Sequence, residues 1–197
     1  EELCENLGTI AKSGSLAFKE ALEKKDKVNI IGQFGVGFYS SFMVADKVIV
    51  ESKKAGDVEA YKWVSEGADG YEITKSNKDT YGTKITLHIK EKTKDDDFDK
   101  YLEEFSIMGL VKKYSDYVSY PITIFNYDEE KKEKKESDPI NSMIPLWKKN
   151  KNKIKDEDYD NFYQEKFFDY AKPLKVIHTK AEGLVSYDAL LFIPSNP

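Results

Sequence analysis

Three glycines at a spacing suited to anion binding lie within the segment Ile31-Gly32-Gln33-Phe34-Gly35-Val36-Gly37-Phe38. Small residues let backbone N–H groups approach phosphate oxygens closely, and the N-terminus of a following helix adds a favourable field. An apolar run over 28–31 precedes the loop, and a short helix is predicted over 38–45 after it. The pattern predicts a phosphate-cradling loop. A tight strand-to-helix turn without a ligand is the alternative that the glycines alone leave open.

Two other nucleotide-binding loops agree less well with this segment. A Walker loop is excluded, because no Gly-Lys-Ser/Thr follows the glycines. A dinucleotide-binding fingerprint is closer, since residues 35–40 approach G-x-G-x-x-G and Glu51 ends the next strand as a candidate for ribose hydroxyls. Against it stand Ser40 in place of the third glycine, the short helix and the antiparallel pattern downstream.

Composition limits the classes of function. The chain has 197 residues, 40% of them hydrophobic, which suffices for a core. Its 31 basic and 36 acidic side chains give a net charge of -5, so it offers no basic field for nucleic acid or a membrane surface. The single Cys4 forms no internal disulfide, and no apolar run approaches the roughly 18 residues of a membrane span. The sequence predicts a soluble cytoplasmic protein that begins inside a longer chain.

The elements that position the loop follow from periodicity. We expect a helix over 15–25 with Ser15 as its N-cap, and a strand over 47–52. Turn clusters at 54–57, 65–70 and 76–81 separate short strands at the spacing of an antiparallel meander. Along 82–90, Ile85, Leu87 and Ile89 alternate with polar residues, which predicts one buried face and one wet face.

The rest of the chain suggests a second domain. Helical periodicity returns over 95–118 with a possible break near Gly109, and a strand follows over 122–127. The run 128–139 holds no apolar residue and reads as a solvated linker. Beyond it, a helix over 156–168 and two strands within 174–193 are expected. The helix carries Tyr159, Phe162, Tyr163 and Phe167 on one face, which predicts a packing surface; a surface for binding other proteins is the alternative.

Read together, the motifs resemble those of the heat shock protein 90 chaperones. The lid is matched by residues 5–14, Glu-Asn-Leu-Gly-Thr-Ile-Ala-Lys-Ser-Gly, the glycine loop by residues 31–40, and the Gly-Thr strand by residues 82–88. Pro145-Leu146-Trp147, residues 156–159, Phe162-Tyr163 and Pro173-Leu174 resemble the opening of that family's middle domain. The short linker is closer to the bacterial members.

This resemblance implies an α+β fold, a two-layer α/β sandwich with a mostly antiparallel sheet of the kind shared with DNA gyrase, MutL and sensor histidine kinases. It divides the chain into the later part of an ATP-binding domain (1–127, with a lid at about 6–38), a linker (128–142) and the start of an α/β middle domain (143–197).

The resemblance also implies a site for ATP with Mg²⁺. Asn6 would approach the sugar and phosphates, Lys12 would be a cation near the phosphates, and Thr83 would help to hold the adenine. The implied ATP-binding residues are Asn6, Gly8, Lys12, Ser13, Gly14, Gly32, Gly35, Val36, Gly37, Phe38 and Thr83. The activating glutamate, the magnesium-binding asparagine, the adenine-binding aspartate and the middle-domain arginine would lie outside this chain. No catalytic residue is therefore assigned within it.

The implied function is an ATPase of the parent protein that acts as a molecular chaperone through lid closure and domain docking. Its partners would be unfolded client proteins, with homodimerisation of the whole parent. The alternative is a non-enzymatic interaction module in which the glycine loop is only structural. No metal site of the protein's own is predicted, because His88 and His178 have no second ligand at a suitable spacing.

Overall fold

The computed structural model describes residues 2–12, 14, 32, 34–128 and 133–196. They form two compact units, the first covering Glu1–Ile107 and the second Met108–Pro197. The helix predicted over 15–25 and the strand predicted over 28–31 lie outside the described residues. No helix in the described part of the chain combines the length and apolar character that crossing a bilayer requires.

A four-stranded antiparallel sheet forms the centre of the first unit. Its strands are β1 (Ala45–Lys53), β2 (Ala60–Ser65), β3 (Glu72–Ser76) and β4 (Gly82–Ile89). The first three strands form a meander, and β4 returns to pair with the other side of β1, which gives the order β3-β2-β1-β4. Runs rich in β-branched and aromatic residues between glycine-containing turns favour this arrangement. The predicted strands at 47–52 and 82–90 are confirmed.

One face of this sheet carries the core of the first unit. Val48 and Trp63 are 0% and 2% exposed, and the register places Trp63 opposite Val50. Helix α1 (Glu2–Leu7) and a 3-10 helix (Phe38–Met43) cover this face. The side chains packed against the buried residues are Leu3, Leu7, Phe38, Phe42 and Ile73.

Strand β4 departs from the prediction that one of its faces is buried. The register sets Ile85 beside Val50 and Leu87 beside Val48, yet these two side chains remain 52% and 37% exposed. Because β4 is an edge strand, it lies beyond the part of the sheet that α1 and the 3-10 helix cover. The alternation was predicted correctly, but the extent of burial was wrong.

The helix predicted over 95–118 forms two shorter pieces. A 3-10 helix covers Asp99–Leu102, and α2 covers Glu104–Tyr114. The break lies at Glu103, whose backbone is extended, and Gly109 continues the helix without interruption. The expected break near Gly109 was therefore wrong.

The interval 128–142, predicted as a solvated linker, carries regular structure. Strand β5 (Phe125–Asp128) pairs in antiparallel fashion with β6 (Glu133–Glu136). The pairing uses backbone groups and needs no apolar side chains, which explains how the fully charged β6 can form it. The two compact units divide between residues 107 and 108, and the predicted domain boundary at 128–142 stays a prediction. The assignment of the chain's parts to an ATP-binding and a middle domain also stays a prediction.

Asn141 anchors the end of this interval. Its side-chain carbonyl accepts a hydrogen bond from the Ile122 N–H at 2.8 Å, and its amide donates to the carbonyls of Val118 and Tyr120, both at 2.9 Å. Asn141 and the neighbouring Ile140 are buried. One side chain thus satisfies three backbone groups that would otherwise carry a desolvation cost.

Aromatic packing joins the helix and the hairpin of the second unit. Helix α3 (Asp156–Phe167) lies against β8 (Tyr187–Ile193), which pairs with β7 (Lys175–Ala181). The rings of Phe162, Tyr163 and Phe167 surround Phe192 at centroid distances of 5.9, 5.3 and 5.9 Å. The predicted packing role of the aromatic face is confirmed, as are the helix and the two strands.

A buried carboxylate ties three parts of the second unit together. Asp116 is 6% exposed, accepts a hydrogen bond from the Ser142 N–H at 2.9 Å, and lies 3.5 Å from Lys112 and 3.3 Å from Lys166. Burial alone would raise the pKa of Asp116, but the Ser142 hydrogen bonds and the two lysine charges outweigh it and hold the pKa below its usual value.

The lowered pKa makes the stability of the second unit sensitive to acid. The carboxylate contributes fully above its unfolded pKa of about 3.9, and its contribution is lost as the pH falls through the folded pKa. We expect Asp116→Asn to lower the free energy of unfolding by about 1–3 kcal/mol at neutral pH. The difference from the wild type should shrink below about pH 4.

Urea denaturation followed by tryptophan fluorescence measures both quantities. Asp138→Asn is the matched control, because Asp138 is an exposed aspartate. A penalty for Asp116→Asn that is the same at neutral pH and about pH 3 would contradict a role for the charge.

Candidate functional site

The segment after α1 is held close to the helix by a glycine. The Gly8 N–H donates to the Cys4 carbonyl at 2.9 Å. A Cβ atom at Gly8 would lie 2.4 Å from that oxygen and 2.6 Å from the Tyr71 hydroxyl, so no side chain fits there. A Cβ atom at Gly14 would lie 3.5 Å from the amide atoms of Asn6. The structure therefore brings Asn6, Gly8 and Gly14 of the predicted site together.

The glycine loop meets this segment at Gly35. Its φ of 65° is in the left-handed region that favours glycine. A Cβ atom at Gly35 would lie 2.3 Å from the carbonyl oxygen and 2.8 Å from the nitrogen of Lys12. The backbone of Lys12 thus packs directly on Gly35, and two predicted site residues are in contact through the main chain.

Gly37 lies in a different environment. Among the described residues, no atom lies within 4 Å of the position that its Cβ would occupy, and its φ of -61° is ordinary. In the part of the chain that the structure describes, the loop therefore has free space beside Gly37, whereas Lys12 contacts it at Gly35. An open face beside backbone N–H groups is what a phosphate-binding loop requires.

The helix that follows the loop differs from the one predicted over 38–45. It is a 3-10 helix of six residues, Phe38–Met43, and Ala45 already belongs to β1. The Ser40 hydroxyl donates to the Gly37 carbonyl at 2.6 Å, and the Tyr39 N–H donates to the Val36 carbonyl at 3.2 Å. A helix this short has only a weak dipole. Any affinity for phosphate therefore depends on individual N–H groups.

Lys12 is oriented towards α1. Its ammonium group lies 3.3 Å from the Glu5 carboxylate, and the two side chains are 50% and 62% exposed. An exposed ion pair of this kind contributes little to stability, about 0–1 kcal/mol. Lys12 can therefore exchange Glu5 for another anion at low cost.

Thr83 lies on β4, beside the end of β1. Its hydroxyl is 2.9 Å from the Ser52 hydroxyl, across the pairing of β1 with β4. Ser52 is near the end of β1, about 23 Å along the strand from Ala45, where the loop region joins the sheet. Ser52 lines a cavity together with Leu3 and Cys4 of α1, so Thr83 lies near the helix that carries Asn6. Ser13 lies outside the described residues.

The sequence analysis did not assign Trp63 and Tyr71 to the site. Trp63 contacts Phe38 of the glycine loop edge to face at 5.5 Å, and Tyr71 stacks on Trp63 at 5.8 Å. The indole N–H of Trp63 is buried without a hydrogen-bond partner among the described residues. The alternation of β2 places Trp63 on the core face, but only the register with β1 reveals its contact with Phe38.

Comparison with known proteins agrees with these features. The family model described as Hsp90 protein matches residues 129–197. "Chaperone protein HtpG" of Clostridium acetobutylicum is 53% identical over 100% of this chain, and the proteins of the same name from Clostridium botulinum strain Hall and Alkaliphilus oremlandii are 54% and 55% identical.

The chain belongs to the Hsp90 family. It spans 33% of the length of these curated relatives, so it corresponds to about a third of an Hsp90 protein. The mixed α/β structure with its four-stranded antiparallel sheet is consistent with the ATPase fold of the Hsp90 N-terminal domain, and the predicted fold class is confirmed.

The contact between Gly35 and Lys12 predicts a measurable difference between two glycines. Gly56 also has a positive φ, 89°, but no atom of the described residues lies within 4 Å of its Cβ position. Gly56→Ala should therefore carry only the conformational penalty of about 1 kcal/mol. Gly35→Ala should lower the free energy of unfolding by about 2–4 kcal/mol, because the Lys12 backbone must also move.

Chemical denaturation of the two variants beside the wild type measures the difference. Equal losses would show that the backbone of Lys12 does not rest on Gly35 in solution.

Proposed function

We propose that this chain is part of an ATP-dependent molecular chaperone, in which ATP with Mg²⁺ binds at the glycine loop and rearranges the lid at about 6–38. The observation that carries the proposal is the 53–55% identity over the whole chain to proteins named Chaperone protein HtpG. The whole protein would hydrolyse ATP, dock its domains, form a homodimer and act on unfolded client proteins in the cytoplasm.

The geometry supports an anion at the loop. Within the part of the chain that the structure describes, the space beside Gly37 is open, and Val36 and Phe38 adjoin it along the backbone. Lys12 reaches the loop through its backbone at Gly35, and among the described residues its ammonium group pairs with the exposed carboxylate of Glu5. A triphosphate would compete with Glu5 for Lys12 while it accepts hydrogen bonds from the loop.

The remaining ATP contacts follow from this placement. Asn6 and Gly14 adjoin each other and would face the sugar and phosphates, while Gly8 lets the segment pass close to Tyr71. No group of three or more His, Cys, Asp or Glu side chains among the described residues could hold a metal ion. Mg²⁺ would therefore arrive with the nucleotide and be held largely by phosphate oxygens and water. Thr83, at the far end of β1, would contact only the adenine end of an extended nucleotide.

The alternatives have less support. A dinucleotide-binding fold needs a parallel sheet with crossover helices, whereas the described sheet is antiparallel throughout. A module that binds partners through the aromatic face of α3 needs that face exposed, but Tyr159 and Tyr163 are buried and three rings of the helix pack on Phe192.

Gly37 provides a direct test of the phosphate cradle. A valine fits the ordinary backbone at this position, but its side chain would occupy the space that phosphate needs. We expect Gly37→Val to weaken the binding of MgATP and of tripolyphosphate at least about tenfold, since each hydrogen bond to a charged group contributes about 1.5–3 kcal/mol.

Isothermal titration calorimetry measures both ligands. Gly183→Val serves as the matched control, because Gly183 is equally uncrowded and lies in the second unit. Unchanged affinity in Gly37→Val would contradict the cradle, and loss of affinity in both variants would indicate a general effect on folding. Gly35→Val is unsuitable here, because the contact with Lys12 confounds it.

The ion pair between Lys12 and Glu5 predicts two changes of opposite sign. Lys12→Ala should weaken MgATP binding about three- to tenfold at about 0.1 M salt, and less than about twofold at about 1 M, because the Debye length falls from about 10 Å to about 3 Å. Glu5→Gln should strengthen binding about two- to fivefold, since it removes a competing carboxylate.

Calorimetric titrations of MgATP into both variants and the wild type, at about 0.1 M and about 1 M salt, measure these changes in affinity. A loss in Lys12→Ala that does not change with salt would assign Lys12 a packing role in place of an electrostatic one.

A further inference from the structure

The hydroxyl of Tyr39 donates a hydrogen bond to the carbonyl oxygen of Leu7 across 2.7 Å. Leu7 is the last residue of α1, and the final carbonyls of a helix have no partner within it. The bond is partly buried and joins residues 32 positions apart in the sequence. Tyr39 therefore completes the end of α1 from a distant part of the chain.

Both ends of this bond belong to the candidate site. Tyr39 directly follows the glycine loop, its N–H donates to the Val36 carbonyl, and its ring contacts Phe38 at 5.7 Å. Leu7 separates Asn6 from Gly8, where the segment that carries Lys12 begins. The hydroxyl thus connects the part of the site that would donate N–H groups with the part that would supply the cation.

The core supports the loop side of this connection. Phe38 lies edge to face on Trp63, which is buried in the sheet, while Leu7 packs on the same core. A movement of the loop relative to α1 would therefore break the Tyr39 bond and disturb the Phe38 contact with Trp63. The fluorescence of Trp63 can report such a movement.

We propose that Tyr39 is a positioning residue for the triphosphate. Its hydroxyl fixes the glycine loop relative to the segment that carries Lys12, so that both face the same anion. The inference rests on the proposed function and adds a residue that would not touch the nucleotide. One neutral hydrogen bond accounts for about a three- to tenfold change in affinity.

The experiment uses the whole chain with Trp147→Phe, which leaves Trp63 as the single tryptophan of the two. MgATP and tripolyphosphate are titrated separately while Trp63 emission is recorded. Tyr39→Phe should raise the dissociation constant of both about three- to tenfold. The matched control is Tyr61→Phe, which removes a hydroxyl bonded to Glu59 on the same sheet, and it should stay within about twofold of the parent.

A double-mutant cycle with Lys12→Ala separates positioning from general support. If Tyr39 holds Lys12 in register with the loop, the loss caused by Lys12→Ala should be smaller in the Tyr39→Phe background, and the two effects should not add. The denaturation midpoint in the absence of ligand is measured for every variant.

The outcomes test the proposed function and the positioning role of Tyr39 separately. If the Trp147→Phe parent binds neither probe, the proposed function fails and the inference fails with it. If the parent binds and Tyr39→Phe binds equally well, the positioning role is overturned while the proposed function stands. Additive losses of Tyr39→Phe and Lys12→Ala, or a loss that follows the denaturation midpoint, would also overturn the role by reducing Tyr39 to structural support.

Discussion

The burial of Trp63 is the constraint on which the first unit depends. The indole lies on the core face of the sheet between Phe38 and Tyr71, two residues from separate segments of the chain. A ring of this size buries roughly 150–250 Å², so whatever covers it is strongly held. The covering elements are α1 and the 3-10 helix, and these two flank the candidate site. The packing of one side chain thus decides where the glycine loop lies.

The second unit is organised differently, around the buried polar groups of Asp116 and Asn141 and the half-buried His178. Asp116 and Asn141 each bind backbone groups from other segments, and His178 joins α3 to the segment before it. The His178 Nε2 atom lies 3.0 Å from the Trp147 carbonyl oxygen, and its Nδ1 atom lies 2.7 Å from the Tyr159 hydroxyl. Such groups specify one arrangement, because each has a single good set of partners.

Local sequence patterns predicted the strands well, but they could not predict contacts between distant parts of the chain. Alternation and turn residues gave β1 and β4, but periodicity could not show that β4 lies at an edge with Ile85 exposed. Composition predicted a charged linker at 128–142, but charge patterns do not reveal the backbone pairing of β6 or the hydrogen bonds of Asn141. For the site, the glycines indicated the loop, whereas the contact of Thr83 with Ser52 and the hydrogen bond from Tyr39 to Leu7 follow only from the register and the fold.

The contact between Gly35 and Lys12 makes the backbone path of this segment independent of the charge at position 12. Main-chain atoms of Lys12 make it, and every residue other than proline has the same main-chain atoms. The path of the segment is therefore encoded by the glycine, while the electrostatic character at position 12 is encoded independently by the side chain. A protein engineer could retune that charge, or introduce a spectroscopic probe there, without redesigning the backbone that carries it.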